Sequence, residues 1–310
     1  TGVNSTLIGG LAGDAITTAN NNVAVGKSAL STETSGANCT AIGSNALAAQ
    51  NVGSGTNVAN TAVGYDAGLA VTTGVQNTFV GAYAGDATDD GDNNTAVGYL
   101  ALSANCGDSN TAVGLETLKL TTGGNNTAIG KNAGNALTSG SNNVFVGIDA
   151  GITGSPGGNW TTQSGVLVMG DENITNAYIQ VDWTISSDER DKTDFTALDL
   201  GLDFVKALEP VTYYWDKRSN YGDKTAEDYD LEAQTPDGTH KEDWMDIGFK
   251  AQSVQALEEA AGYTTAAKKN LTVNHGSDGK QLGLQYSKFV PILVKAIQEQ
   301  NALIEALTAR

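Results

Sequence analysis

The first 151 residues write one short phrase nine times, each centred on a glycine: Gly9, Gly26, Gly43, Gly64, Gly81, Gly98, Gly114, Gly130 and Gly147. The intervals between them are 17, 17, 21, 17, 17, 16, 16 and 17 residues. A short fixed period specifies a solenoid, because a unit this small buries its apolar face only by stacking on its neighbours. This constraint directs the search for function towards an elongated stacked object and away from a pocket.

Aligned on the glycine, seven coils carry Asn four residues earlier: Asn22, Asn60, Asn77, Asn94, Asn110, Asn126 and Asn143. The residue before the glycine is always Val or Ile, and the one before that is Ala in six coils, with Leu7, Phe79 and Phe145 in the others. Three residues after the glycine stands Ala, except for Thr117. Both faces of this short strand are apolar or small, as in a strand covered on two sides. One face suits the narrow coil interior, and the other suits a partner chain. The Thr that recurs three before the glycine shares a strand face with a Val or Ile expected to be buried, which argues against an exposed threonine array of the ice-binding kind. A column of Asn60, Asn77, Asn94, Asn110 and Asn126 predicts an amide ladder along the axis. Gly64, Gly81, Gly98, Gly114 and Gly130 predict a positive φ or close backbone approach. Nine coils at ~4.8 Å give a rod roughly 40 Å long.

The phrase, over about residues 4–151, resembles the head repeats of YadA-type trimeric adhesins and similar repeats of phage tail fibres. That resemblance implies a left-handed parallel β-roll, three of which pack into one head, with longer turns here than the adhesin repeats have. The chain opens in mid-repeat, at Asn4–Gly9, so a missing N-terminal anchoring portion is expected.

Charge narrows the partners. The formal net charge is −18, and residues 1–151 hold Lys27, Lys119 and Lys131 against ten acidic residues. Such a surface repels phosphate backbones and anionic lipid, so no nucleic-acid partner is expected. No run of 18 apolar residues supports membrane insertion. Cys39 and Cys106 lie about four coils apart, well over ~7 Å, too far for a disulfide between them. His240 and His275 are isolated, and Asp89-Asp90-Gly91-Asp92 lacks the ligand spacing of a calcium loop, so no metal is expected. No glycine-rich loop follows a strand as a phosphate site requires, and no cofactor is expected.

The period stops near Ile152. Residues 152–185 are a connector with a turn at Pro156–Gly158 and two strand-like runs, Gly165–Met169 and Ala177–Ile185. Residues 186–310 form a second domain. Leu200–Leu208 has helical spacing, with Asp199 as N-cap and Pro210 beyond it. Val211–Trp215 is a strand, 216–243 a polar insertion, and Asp246–Gln255 runs from strand into helix. In the terminal helix, within 286–310, Tyr286, Val290, Leu293, Ile297, Gln300, Ile304 and Leu307 alternate in steps of three and four, a heptad seam with Gln300 as its polar layer. Pro291 suits the first turn of that helix. A helix packed on its own domain is the plain alternative.

Four phrases in this half are Ser187–Lys192 (Ser-Asp-Glu-Arg-Asp-Lys), Leu208–Trp215 (Leu-Glu-Pro-Val-Thr-Tyr-Tyr-Trp), Ile247–Gln252 (Ile-Gly-Phe-Lys-Ala-Gln) and Tyr286–Gln298. In that order they resemble the C-terminal intramolecular chaperone of phage tailspikes, endosialidases and tail fibres. The resemblance implies a domain that trimerises, drives folding of the upstream fibre and is often released by self-cleavage. The implied dyad is Ser187 as nucleophile and Lys192 as base, a single-turnover activity on the chain itself. Here Asp191 stands where the family has Leu, and a carboxylate beside Lys192 favours the charged amine over the basic one. The alternative is that Ser187 caps a turn.

Together these readings give a mainly β chain: a trimeric parallel β-roll, then a small α+β chaperone domain ending in a coiled-coil helix. The expected function is a structural homotrimeric tail-fibre protein of a virion, contributing to host attachment through a glycan or protein receptor and joined to other tail proteins through the missing N-terminal region. A bacterial trimeric surface adhesin is the main alternative. A glycan-depolymerase fragment is disfavoured, because the coils carry no paired carboxylates at a fixed place.

Overall fold

The computed structural model describes residues 3–53, 57–224, 226, 228–266, 269, 271–277 and 279–309. The chain divides into two compact units, Thr1–Asn173 and Ile174–Arg310.

The first unit is a parallel β-solenoid. Ten three-residue strands stack in sequence order: β1 Thr6–Ile8, β2 Val23–Val25, β3 Thr40–Ile42, β4 Thr61–Val63, β5 Thr78–Val80, β6 Thr95–Val97, β7 Thr111–Val113, β8 Thr127–Ile129, β9 Val144–Val146 and β10 Leu167–Met169. Each strand pairs in register with the next, so like residues form columns: Thr61 on Thr78 on Thr95, and Val63 on Val80 on Val97. The tenth strand lies in the segment assigned to the connector from sequence. It continues the ladder without the Asn-Thr-Ala-Val phrase, 23 residues after the ninth glycine if counted from Gly147 to Gly170.

From β2 to β10 the middle residue of each strand points inward. Ala24, Ala41, Ala62, Phe79, Ala96, Ala112, Ala128 and Phe145 are fully buried. The flanking Thr and Val or Ile point outward, and Ile8, Ile42, Val80, Val113 and Ile129 are exposed in the single chain. The column before the glycine is therefore an outer apolar strip, and the narrow interior takes the smaller Ala.

The central glycines are dictated by stacking. All nine have φ between +115° and +148°. A Cβ on Gly43 would sit 2.1 Å from the carbonyl oxygen of Gly64, and one on Gly98 would sit 2.3 Å from that of Gly114. Both conditions exclude an L side chain.

A second column, four residues after the glycine, sets the volume of the core. Where the strand centre is Ala24, Ala41, Ala96 or Ala112, this column holds Leu30, Leu47, Leu102 or Leu118 at φ near +50°, and each leucine is fully buried. Where the strand centre is Phe79 or Phe145, it holds Gly85 or Gly151. The ring of Phe79 also reaches over Gly68 of the preceding coil, and that of Phe145 over Gly134. Each Phe ring thus occupies space beside two glycines, at positions where other coils carry leucine.

The Asn column is a hydrogen-bonded spine. Asn60 Oδ1 accepts from the backbone N–H of Asn77 at 2.8 Å, Asn77 from Asn94 at 2.8 Å, Asn94 from Asn110 at 2.8 Å, and Asn110 from Asn126 at 3.0 Å. Nδ2 of Asn60, Asn77 and Asn126 donates to the carbonyls of Gly74, Gly91 and Gly140 in the next coil. Direct amide-to-amide bonds, at 3.1 Å, join Asn110 to Asn94 and Asn126 to Asn110. Most rungs of the ladder therefore run from side chain to backbone, satisfying groups that burial would otherwise leave unpaired. Cys39 interrupts the column, and the fully buried Gln50 bridges the gap. Its Nε2 donates to Cys39 Sγ at 3.2 Å and to Glu33 Oε2 at 3.0 Å, while its Oε1 accepts from Asn60 at 2.8 Å. Glu33, also fully buried, accepts three further bonds from the backbone N–H groups of Ser35, Gly36 and Val52. Cys39 and Cys106 are free thiols, and burial pushes both up from their ordinary values.

The second unit is a small helix-and-sheet region. It contains α1 Leu202–Ala207, the antiparallel pair β11 Val211–Tyr214 and β12 Met245–Gly248, α2 Ala251–Ala260, the antiparallel pair β13 Val273–His275 and β14 Leu282–Leu284, and the terminal α3 Phe289–Thr308. Leu200, Phe204, Val254, Val273, Phe289 and Ile292 form its core. Helix α1 is shorter than the sequence predicts, and Gly201, in place of Asp199, is its N-cap residue. The cap bond comes from α3: Glu299 Oε2 accepts from the Leu202 N–H at 2.7 Å. That bond holds the Glu299 carboxyl below its usual range, with Lys295 adding to the effect. Asp199 accepts instead from the Tyr263 hydroxyl. Helix α3 begins two residues before Pro291, which stands in its first turn.

Candidate functional site

The turn at Ser187–Lys192 is built by Asp188. Its carboxylate accepts from the Arg190 N–H at 2.9 Å and caps a single 3-10 turn over Glu189–Asp191. It also pairs with the Arg190 side chain, Nη2 to Oδ2 at 2.6 Å. The guanidinium holds the Asp188 carboxyl below its ordinary value. The cap therefore belongs to Asp188, and Ser187 stands outside it.

This turn reverses the chain so that residues five apart in sequence meet. Lys192 Nζ donates to Ser187 Oγ at 2.5 Å and to the Ser187 carbonyl at 3.2 Å. Among the described residues no ion pair joins Asp191 to Lys192. Both Ser187 and Lys192 are exposed in the single chain. A serine hydroxyl becomes a nucleophile when an adjacent base takes its proton, and a lysine serves as that base once its amine is neutral. The geometry provides contact between the two groups.

The other three phrases converge in the folded region. β11 carries Tyr213 and pairs it opposite Asp246 of β12. Tyr213 Oη and, beyond the strand, Trp215 Nε1 both donate to Asp246 Oδ2, at 3.3 and 3.4 Å. Burial, reinforced by Asp246 and Tyr286, pushes the Tyr213 phenol up to about 12. Phe249 stacks on Phe289, ring centroids 5.4 Å apart, and on Tyr286 at 6.2 Å. Tyr286 Oη lies 2.4 Å from where a Gly248 Cβ would be, so that glycine admits the phenol. These phrases are packing and hydrogen-bonding elements that join the hairpin to the start of α3.

Helix α3 divides into two faces. Phe289, Ile292 and Ala296 are buried against their own domain. The heptad positions Val290, Leu293, Ile297, Gln300, Ile304 and Leu307 are all exposed. Intradomain packing and the seam thus use different sides of one helix. Sequence reasoning missed the intradomain role of Glu299, a contact across 97 residues with no local signal.

Among the described residues no cluster of three or more His, Cys, Asp or Glu is arranged to hold a metal ion. No helix is long and apolar enough to cross a membrane, again among the described residues. No curated protein and no solved structure matches the chain. Residues 187–263 match the family described as the chaperone of endosialidase, a match that begins at Ser187 and takes in Lys192, α1, β11, β12 and α2.

Proposed function

We propose that this chain is a homotrimeric tail-fibre protein whose C-terminal region, from Ser187, is an intramolecular assembly chaperone. The observation that carries this reading is the match to the chaperone of endosialidase directly downstream of a parallel β-solenoid with an exposed outer Val/Ile strip. The exposed seam of α3 supports it further, since a 20-residue helix with one unpaired apolar face suits a parallel bundle. The solenoid serves as shaft or head, packed through its outer strip as in YadA-type heads, and contributes to attachment of a virion to a host-surface glycan or protein.

The chaperone brings chains into register, lowering the entropic cost of nucleating long-range β stacking. The coils then add one after another along the Asn spine. Release follows by self-cleavage. Lys192, as the neutral amine, takes the proton of Ser187 Oγ, which attacks the carbonyl carbon of Ser186. The Ser186–Ser187 C–N bond breaks as that proton passes to the departing nitrogen. Water then hydrolyses the resulting ester, leaving residues 1–186 with a new carboxylate and 187–310 with a new amino terminus. Loss of the nucleating domain would leave the fibre kinetically trapped.

Intact-mass analysis of freshly made wild type beside Ser187→Ala tests the cleavage step. The expected result is fragments 1–186 and 187–310 from wild type and full-length chain alone from the variant. Uncut wild type after prolonged incubation would contradict self-cleavage, and equal cutting of both would assign it to another residue.

A further inference from the structure

Residues 178–185 read Tyr-Ile-Gln-Val-Asp-Trp-Thr-Ile, a sequence of high strand preference with apolar side chains at every odd position. No strand forms there. Among the described residues no backbone group of 177–186 makes a hydrogen bond, and the chain bends at Gln180 and Val181. Ile179, Val181, Trp183 and Ile185 remain 52%, 73%, 69% and 70% exposed. A period-2 apolar face and a full row of unpaired amides are the two halves of an unfinished sheet.

We infer that residues 178–185 form an intermolecular β-strand, paired with the same segment in other copies of this chain. This rests on the self-assembly reading above and names a contact which that reading does not require. Three observations select a second copy as the occupant. The segment stands in sequence between two others that leave apolar lines uncovered, the outer Val/Ile strip and the α3 seam, and one symmetric association covers all three. Its only charged residue is Asp182, so it offers nothing to steer a charged foreign partner, yet lets chains of net charge −18 meet along a nearly neutral strip. Four large exposed side chains within seven residues also make a patch too small for a lone stable interface, but a natural continuation of a longer one. In the assembly the odd positions face inward, Trp183 meets its symmetry copies, and Gln180, Asp182 and Thr184 face solvent.

Cysteine crosslinking of the full chain tests this, with Ser187→Ala as background to keep the chain intact. Cys39 and Cys106 are buried, so an added thiol reports alone. Under mild oxidation Val181→Cys is expected to give at least five-fold more disulfide-linked dimer than Asp182→Cys. In the chain without added cysteines, hydrogen exchange of amides 178–186 is expected to slow at least 100-fold relative to open chain. An oligomer with freely exchanging 178–186 and no excess Val181→Cys dimer would overturn the inference and leave self-assembly standing. A monomer would overturn both, even with 178–186 protected, since the strand would then pair within its own chain.

Discussion

Gly98→Ala is expected to destabilise the solenoid by roughly 2–6 kcal/mol, the sum of a strained backbone and an overpacked contact. Gly98 has φ +139°, a conformation that L side chains rarely adopt, and its Cβ would meet the Gly114 carbonyl oxygen at 2.3 Å. The clash is with backbone of the next coil, so relief requires parting β6 from β7 and losing ladder bonds. In a solenoid such a break is local but propagates, because each coil is stable only on its neighbours. Urea unfolding together with limited proteolysis measures it: the midpoint falls, and new cuts appear near coils six and seven. Gly107→Ala is the control, since its nearest neighbour would lie at 3.4 Å and its φ is not positive. Equal midpoints for the two variants would contradict the stacking argument.

Phe79→Ala is expected to cost about 3–5 kcal/mol, the usual range for removing a buried aromatic ring. The site has little means of collapsing, because Gly68 and Gly85 line the space that the ring fills. The core pattern also predicts a rescue. Where no Phe ring lies next to the position, coils with Ala at the strand centre carry Leu four residues after the glycine, as in Ala24 with Leu30 at φ +52°, whereas Gly68 and Gly134 lie against Phe79 and Phe145. Gly85→Leu, at φ +60°, should therefore recover a substantial part of the loss when combined with Phe79→Ala, and by itself should destabilise through its clash with the ring. Thermal unfolding of the single and double variants reads this directly. A double variant no more stable than Phe79→Ala would refute the proposed volume exchange.

The solenoid was legible because its repeat places one backbone conformation and one side-chain role at each position of the phrase. The inward face was not, because Ala and Val are both apolar and hydrophobicity alone does not rank them. The signal that could have decided it is the exchange of Phe79 with Gly85 against Ala24 with Leu30. The tenth strand is legible as the strand-like run Gly165–Met169 but not as a further coil of the ladder, since Val166 stands where the Asn column would predict Asn. Ser187 and Lys192 are singled out by the resemblance to the chaperone family, while the turn that brings them into contact depends on Asp188. Ala177–Ile185 has the alternation of a strand yet pairs with nothing among the described residues, and alternation alone does not specify a partner. The capping of α1 by Glu299 lay beyond any local pattern.

The central claim, that the C-terminal region assembles identical chains into a fibre, is tested most directly by native mass spectrometry of the folded full-length Ser187→Ala chain. The account predicts a species of three 31.8-kDa chains, persisting on dilution to micromolar concentration. A folded, stable monomer of 31.8 kDa would contradict it, leaving the outer Val/Ile strip and the α3 seam without the partner assigned to them.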